Sequence, residues 1–183
     1  MNLTQKIIIK MNKKKLFLYF AVAALIIIVD QITKIYVFDH FYLGESVPVI
    51  DGLFNLTYVR NPGAAFGFGG QFHNYIRYTL FLALPVIAVF VLIYFLIKSL
   101  TGHPIMTWAY ALIIGGAIGN LIDRFRLSFV VDFFDFYIGK HHFATFNVAD
   151  SAITIAAGLI IIDYLFISKG EKEKEGPTEK LES

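Results

Sequence analysis

Two aspartates in the second half of the chain, Asp132 and Asp150, have neighbours that suit acid–base chemistry. Asp132 stands in an aromatic stretch that ends at Tyr137. Asp150 follows Asn147 by three residues, so that Asn147 and Asp150 lie on the same face of a helix. If the two carboxyls meet at low dielectric, they cannot both ionise readily and they titrate as a pair holding one proton. One carboxylate can then deprotonate a water while its protonated partner polarises a carbonyl group. The pattern predicts peptide hydrolysis by an aspartic mechanism.

The same two residues also allow a purely structural interpretation. Asp132 could cap a turn, and Asp150 could form a hydrogen bond to a neighbouring helix, since buried polar groups hold membrane helices together. The residues alone leave both interpretations open.

A second polar group precedes the aspartates. Asn120, Asp123 and Arg124 are spaced at i, i+3 and i+4, which places them on one turn of a helix face. Glycines at 115, 116 and 119 come just before them, and small residues let a neighbouring backbone approach closely. We interpret the glycines as a helix packing face and the polar turn as a candidate site.

The elements that must position these residues are membrane helices. With 57% hydrophobic and 16% charged residues, the chain departs from the composition of soluble domains, which argues against a water-soluble globule. A spanning helix needs about 20 mostly apolar residues. Four segments meet this requirement or nearly do, although the first contains Asp30 and Lys34 and the last contains Asp150 and Asp163. They are residues 16–38, 78–97, 105–122 and 147–168.

The positions of the lysines predict the orientation of the chain, since loops rich in Lys and Arg stay in the cytoplasm. Lysines gather before the first helix and again after the fourth. Both termini and the link 98–104 are therefore expected in the cytoplasm, and the segments 39–74 and 128–146 outside. We divide the chain into a basic cytoplasmic start (1–15), a membrane domain (16–168) and a flexible cytoplasmic tail (169–183). A cleaved signal peptide is the alternative for the start, but no small-x-small site follows Val29, so we expect a retained helix.

The outer segment between the first two helices carries a strand signal. Within residues 46–60, Val47 and Val49 and then Phe54, Leu56 and Tyr58 occur at every second position, as in β-strands. The turn pair Asp51-Gly52 separates the two runs, which predicts a small sheet. Phe66, Phe68 and Phe72 follow in a glycine-rich stretch, where they could cradle a substrate or simply form an interfacial aromatic belt. The expected fold is an all-α membrane protein of four transmembrane helices. It carries a small extracytoplasmic sheet between helices 1 and 2 and a short outer segment between helices 3 and 4.

The cysteine and histidine content limits the possible chemistry further. The chain has no cysteine, so a disulfide framework, a thiolate metal site and a cysteine nucleophile are excluded. His141 and His142 are adjacent and lack the spaced partners of a catalytic zinc site. We expect no metal and no cofactor, with membrane lipids but no nucleic acid as partners.

Taken together, the chain closely resembles lipoprotein signal peptidase (signal peptidase II), an aspartic peptidase family of bacterial inner membranes. The resemblance covers most of residues 16–168, and its motifs occur in order along the four predicted helices. The five blocks are Asp-Gln-Ile-Thr-Lys at 30–34, Arg-Asn-Pro-Gly-Ala-Ala-Phe at 60–66, the glycine and polar segment 115–124, Val-Val-Asp-Phe at 130–133 and Phe-Asn-Val-Ala-Asp at 146–150.

The resemblance implies a role for each matching residue. Asp132 and Asp150 correspond to the catalytic dyad of the family. The implied supports fall into two groups: Asn61, Asn120, Arg124 and Asn147 position substrate or dyad, whereas Asp30, Lys34 and Asp123 are structural. Four further acids match no catalytic position: Asp39, Asp51, Asp135 and Asp163. The implied substrate is a prolipoprotein whose cysteine carries a diacylglyceryl group, cleaved just before that cysteine at the outer face of the bacterial inner membrane.

Two functions of other classes compete with this interpretation. A small transporter or channel could relay ions through intramembrane polar residues, but a pathway needs such residues across the membrane depth, and here they gather at one predicted level. A membrane-anchored binding or assembly factor could use its outer loop to recognise lipid. That factor would show no proteolysis.

Overall fold

The computed structural model describes residues 3–63 and 68–168, with side chains over 13–63 and 68–165. Four of its helices are long and apolar enough to cross a membrane, as the sequence predicted. We number them as the first to the fourth span: Lys13–His40, Asn74–Ser99, Pro104–Leu127 and Val148–Leu165. The predicted tail 169–183 and the aromatic Phe66 lie outside the described residues.

The first helix is longer than the predicted span. It runs without a break over Leu3–His40, whereas the hydropathy pattern indicated a start at residue 16. The added residues include lysines and isoleucines but no glycine or proline, so nothing in this stretch ends a helix. Hydropathy locates the apolar part of a helix, and the helical backbone continues beyond it.

The second span changes its helical register near one end. Asn74–Tyr78 is α-helical, Thr79–Ala83 is π-helical, and Leu84–Ser99 is α-helical again. Pro85 has no N–H to donate to the carbonyl of Phe81, so the ordinary ladder fails at this point and a wider turn takes its place.

Four antiparallel strands form a sheet in the order β1-β2-β3-β4. The predicted turn at Asp51-Gly52 separates the first two strands, and Gly52 has the positive φ of 78° that such a turn requires. The prediction of a sheet between the first two spans is thus confirmed but incomplete, because the segment between the third and fourth spans joins the same sheet. The strands are β1 (Ser46–Ile50), β2 (Phe54–Asn61), β3 (Val130–Ile138) and β4 (His141–His142). We call the end of the bundle that carries them the sheet end.

The third span lies at the centre of the bundle, with half of its most apolar stretch buried. Its predicted glycine face is where the neighbours approach. A Cβ on Gly116 would collide with the carbonyl oxygen of Ala149 in the fourth span, and one on Gly119 would lie 2.6 Å from Oδ2 of Asp30 in the first. The glycines therefore let the polar ends of three spans meet at the sheet end.

Candidate active site

Asp132 and Asp150 reach the site from two different elements. Asp132 is on β3 and is 1% exposed, and Asp150 is in the first turn of the fourth span. Asn147 caps that helix: its Oδ1 accepts from the backbone N–H of Asp150 at 2.9 Å, while Asp150 Oδ2 accepts from the backbone N–H of Asn147 at 3.2 Å. This reciprocal capping box fixes the Asp150 carboxyl as well as the start of the helix.

Three asparagine amides hold the two carboxyls. Asn147 Nδ2 donates to Asp132 Oδ1 at 2.7 Å, and Asn61 Nδ2 donates to Asp132 Oδ2 at 3.0 Å. Asn120 Nδ2 donates to Asp150 Oδ1 at 2.8 Å. The three amides come from the fourth-span cap, the end of β2 and the third span, so the carboxyls are fixed only when all these elements are assembled.

Both aspartates line one cavity of about 730 Å³ at the sheet end. Asn61, Asn120 and Arg124 line it as well, which places the predicted polar residues of three separate blocks around one space. Such a volume suits a small-molecule or peptide segment. The cavity wall is otherwise largely apolar, with Pro85, Ala117, Val130, Ile153 and Ile155 among its residues.

Burial controls the acidity of Asp132. Desolvation of its side chain, assisted by the nearby charge of Asp150, raises the pKa of Asp132 to about 7. Hydrogen bonds from Asn61 and Asn147, together with the charge of Lys34, act in the opposite direction but do not cancel the effect of burial. Asp132 therefore carries a proton for a large fraction of the time near neutral pH.

A buried triad of charged side chains lies next to the two aspartates. Lys34 Nζ lies 2.9 Å from Oδ2 of Asp30 and 3.3 Å from Oδ2 of Asp123, and none of the three side chains is more than 2% exposed. The ammonium also donates to Asn120 Oδ1 at 2.8 Å. The triad thereby orients the Asn120 side chain, whose amide nitrogen holds Asp150.

The two acids of the triad also bond to the backbone beside the dyad. Asp30 Oδ1 accepts from the N–H of Ala149 at 2.9 Å, and Asp123 Oδ2 accepts from the N–H of Val131 at 3.0 Å. Each contact is one residue away from a dyad aspartate. The resemblance implied a structural role for Asp30, Lys34 and Asp123, and this role stays a prediction.

Gln31 is a part of the site that sequence reasoning passed over. Its Nε2 lies 3.1 Å from both the carbonyl oxygen of Gly119 and Oδ1 of Asp123, so it ties the first span to the third. The signal that could have found Gln31 is its position inside the 30–34 block. It was not selected because an uncharged amide does not by itself indicate a functional role.

Two arginines fix the turn that carries Asn61. Arg124 donates to the carbonyl oxygen of Gly63 at 3.1 Å, and Arg77 donates to that of Pro62 at 3.3 Å. Within the turn, Asn61 Oδ1 accepts from the N–H of Gly63 at 3.1 Å. The sequence pointed to Arg124 but not to Arg77, because a basic residue directly before an apolar run is typical of an interfacial anchor.

The remaining acids lie elsewhere. Asp135 is buried in the sheet, where His142 Nδ1 lies 2.8 Å from its Oδ1 and Thr57 donates to its Oδ2 at 3.0 Å. Asp39 and Asp51 are exposed, and Asp163 is buried at the opposite end of the bundle, beside the 99–103 link. None of the four lines the cavity of the dyad.

Four spans that enclose one buried and one half-buried carboxyl in a cavity define an integral membrane protein with an enzyme-like polar site. A profile of Signal peptidase (SPase) II matches residues 22–166, which include most of the first span, the other three spans and all four strands. The chain belongs to the signal peptidase II family, and the resemblance found in its sequence is confirmed.

Curated relatives and solved structures agree. The lipoprotein signal peptidase of Syntrophus aciditrophicus is 44% identical over 89% of this chain and 98% of its own length, and that of Haemophilus influenzae is 44% identical over 93% and 98%. A solved bacterial membrane enzyme, determined by the in meso method at 2.3 Å, superposes with a TM-score of 0.74 at 34% identity over 90% of this chain and 94% of that one. The protein is therefore a bacterial membrane peptidase, and the transporter or channel alternative is not favoured.

Proposed function

We propose that this protein removes signal peptides from prolipoproteins with Asp132 and Asp150 as its catalytic dyad. The observation that carries the proposal is the placement of two amide-held carboxyls in one cavity at the sheet end. The relatives are named lipoprotein signal peptidases, which supplies the substrate class.

The protonation of the dyad assigns a role to each aspartate. Asp150, as the ionised partner, takes a proton from a water whose oxygen attacks the scissile carbonyl carbon. Asp132 gives its proton to the carbonyl oxygen, so that a neutral tetrahedral diol forms. In the second half, Asp150 returns its proton to the departing amine nitrogen while a diol hydroxyl returns a proton to Asp132, the C–N bond breaks and the resting dyad is restored.

The cavity suits an apolar substrate that carries a peptide bond. Its apolar wall residues Pro85, Ile153 and Ile155 come from the second and fourth spans, so lipid-like chains have a surface to contact close to the dyad. We infer a prolipoprotein with a diacylglyceryl cysteine, cut just before that cysteine. The sheet and the ring pair Phe68 and Phe72, 5.6 Å apart, are the candidate cradle for its polar part.

The lysine distribution supports the proposed orientation, with the sheet end outside the cytoplasmic membrane and both termini inside. In this orientation the dyad lies near the outer face, where exported prolipoproteins arrive. The proposed chemistry uses only side chains of this chain and a water.

The proposal is tested with purified protein in detergent and a prolipoprotein, with or without its diacylglyceryl group. The wild-type protein should release the signal peptide from the lipidated substrate. Asp132→Asn and Asp150→Asn should each lower turnover by about 10³-fold, since each removes a proton-transfer group. Loss of the peptide is followed by mass spectrometry.

Two control variants make the test specific. Asp51→Asn changes an exposed acid and should retain wild-type turnover, and each dyad variant should unfold at a temperature close to that of the wild type. Uncut lipidated substrate with the wild-type protein would contradict the peptidase activity. An active Asp132→Asn or Asp150→Asn variant, combined with an inactive but folded Asp123→Asn variant, would contradict the assignment of roles.

A further inference from the structure

A second, smaller cavity lies between the second and third spans at the sheet end. It has a volume of about 40 Å³, enough for more than one water-sized group. Arg77 and Arg124 line it from opposite spans, together with Asn74 and Ser128. No acidic residue is among its lining residues, so two fixed positive charges face one small space.

The two arginines have N–H donors that are not used in this space. Arg77 donates from one terminal nitrogen to the carbonyl oxygens of Pro62 and Ser128, and Arg124 donates from one terminal nitrogen to that of Gly63. The Nε–H groups of both arginines are buried and have no hydrogen-bond partner among the residues that the structure describes. A buried donor without an acceptor is costly, so the geometry calls for a group that accepts from both guanidinium groups.

The charges specify the group as an anion. Neither arginine forms a salt bridge with a residue that the structure describes. Asp132 and Asp150 attract Arg124 from the neighbouring cavity, which leaves Arg77 as the less compensated charge. Guanidinium groups present parallel N–H donors that match phosphate oxygens, whose negative charge would balance the pair.

The walls of this cavity indicate where the anion comes from. Tyr78, Phe81 and Leu82 border it, and they stand in or next to the π-helical turn Thr79–Ala83, a kind of distortion often found at functional sites. Tyr75 and Tyr78 are largely exposed on the same helix end, as aromatic side chains are at the level of lipid headgroups. An apolar wall next to two arginines fits a lipid better than a free soluble ion.

We propose that Arg77 and Arg124 bind the phosphodiester of a membrane phospholipid at the sheet end, in a site separate from the dyad cavity. The two sites share Arg124, which lines both. Because Arg124 and Arg77 also hold the turn that positions Asn61, an occupied phosphodiester site would stabilise the turn beside Asp132.

Native mass spectrometry of the purified protein, titrated with phosphatidylglycerol, tests the proposal. Dioleoylglycerol, which lacks the phosphate, and inorganic phosphate, which lacks the acyl chains, are the two comparison probes. Phosphatidylglycerol should bind at least about tenfold more tightly than either. Arg77→Gln should raise the Kd for phosphatidylglycerol by about tenfold, equivalent to about 1.4 kcal/mol. The exposed Arg126→Gln removes the same charge at the sheet end, on the third span and outside the cavity, and should change the Kd less than twofold.

Three outcomes would overturn the proposal. Equal binding of dioleoylglycerol would mean that the acyl chains alone are recognised, and equal binding of inorganic phosphate would make the site one for a free anion. An unchanged Kd in a folded Arg77→Gln variant would show that the guanidinium group of Arg77 does not bind the phosphodiester. The comparison of the three probes on the wild-type protein decides the matter even where Arg77→Gln does not fold, and it is independent of peptidase activity.

Discussion

At the residue scale, the proposed chemistry depends on the different surroundings of the two carboxyls. Asp132 lies on a strand, 1% exposed, whereas Asp150 stands in the first turn of a helix, where the N-terminal end of the helix dipole favours negative charge. Both factors favour the proton on Asp132. The proton of the pair is thus expected on Asp132.

This assignment predicts a pH profile. The pKa of Asp132 is raised to about 7, so the proton that it must donate is present below this value and is lost as the pH rises through it. Turnover should therefore fall above neutrality, by about tenfold for each further pH unit. Measurement of kcat on both sides of neutrality checks this, with Asp51→Asn as a control of unchanged profile. A rate independent of pH above neutrality would contradict the role of Asp132 as the acid.

Asn147 allows the capping and catalytic contacts to be separated. Asn147→Ser keeps an oxygen that can cap the fourth span but loses the amide that donates to Asp132. Because that hydrogen bond lowers the pKa of Asp132, its loss should raise this pKa and shift the alkaline limb of the profile to higher pH. We expect kcat to fall by about tenfold or more and the unfolding temperature to change little.

The control for this variant is Asn55→Ser. Asn55 Nδ2 lies 3.5 Å from Asp135, an acid outside the dyad cavity, so the same change there should leave the profile in place. A shift of the Asn147→Ser limb to lower pH would show that the amide does not stabilise the ionised form.

At the element scale, the close contact of the third and fourth spans delivers Asp150 to the site. Gly116 faces the backbone of Ala149, the residue before Asp150, and Ile153 Cγ1 lies 2.8 Å from the position of an added Cβ. The two helices can approach in this way only where a side chain is missing. The close packing of the third and fourth spans and the position of Asp150 therefore both depend on Gly116.

Gly116→Ala should separate these spans. The added methyl group has no room, so we expect a loss of about 1–3 kcal/mol of stability and a large loss of turnover, because Ala149 and Asp150 must move together. Thermal unfolding in detergent, followed by Trp108 fluorescence, and a peptidase assay measure the two effects. Gly158→Ala on the fourth span has nothing within 4 Å of its added Cβ and should change neither. Equal behaviour of the two variants would contradict the packing argument.

At the scale of the whole molecule, the sheet joins the two segments that connect the spans at one end. β2 follows the first span and β3 follows the third, and their pairing places Val59 opposite Asp132 and Asn61 opposite Val130. Two loops far apart in sequence thus form one platform above the bundle, on the side that we assign to the outer face.

The orientation can be tested with single cysteines, because the chain has none of its own. Asp51→Cys lies in the turn between β1 and β2, and Gly102→Cys lies in the exposed link between the second and third spans. A membrane-impermeant maleimide should label Asp51→Cys in intact cells and Gly102→Cys only after the membrane is opened. The reverse pattern would contradict the proposed topology.

The four spans and the turn at Asp51-Gly52 could be predicted from the sequence, and the resemblance to the family selected Asp132 and Asp150, whose catalytic role stays a prediction. Hydropathy, turn chemistry and local motifs are properties of neighbouring residues, so they can be read along the chain. The helix ends were less well predicted: the first helix continues back to Leu3, since polar residues can extend a helix beyond its apolar part.

How the five blocks meet could not be predicted from the sequence. The pairing of β3 with β2, the link from Lys34 through Asn120 to Asp150, and the contacts of Gln31 and Arg77 join residues far apart in the sequence. Such contacts leave no periodic pattern, because each depends on the packing of whole helices and strands. The resemblance could select Asp132 and Asp150, but their shared cavity arises from tertiary packing. The raised pKa of Asp132 arises from desolvation that exists only in the folded chain.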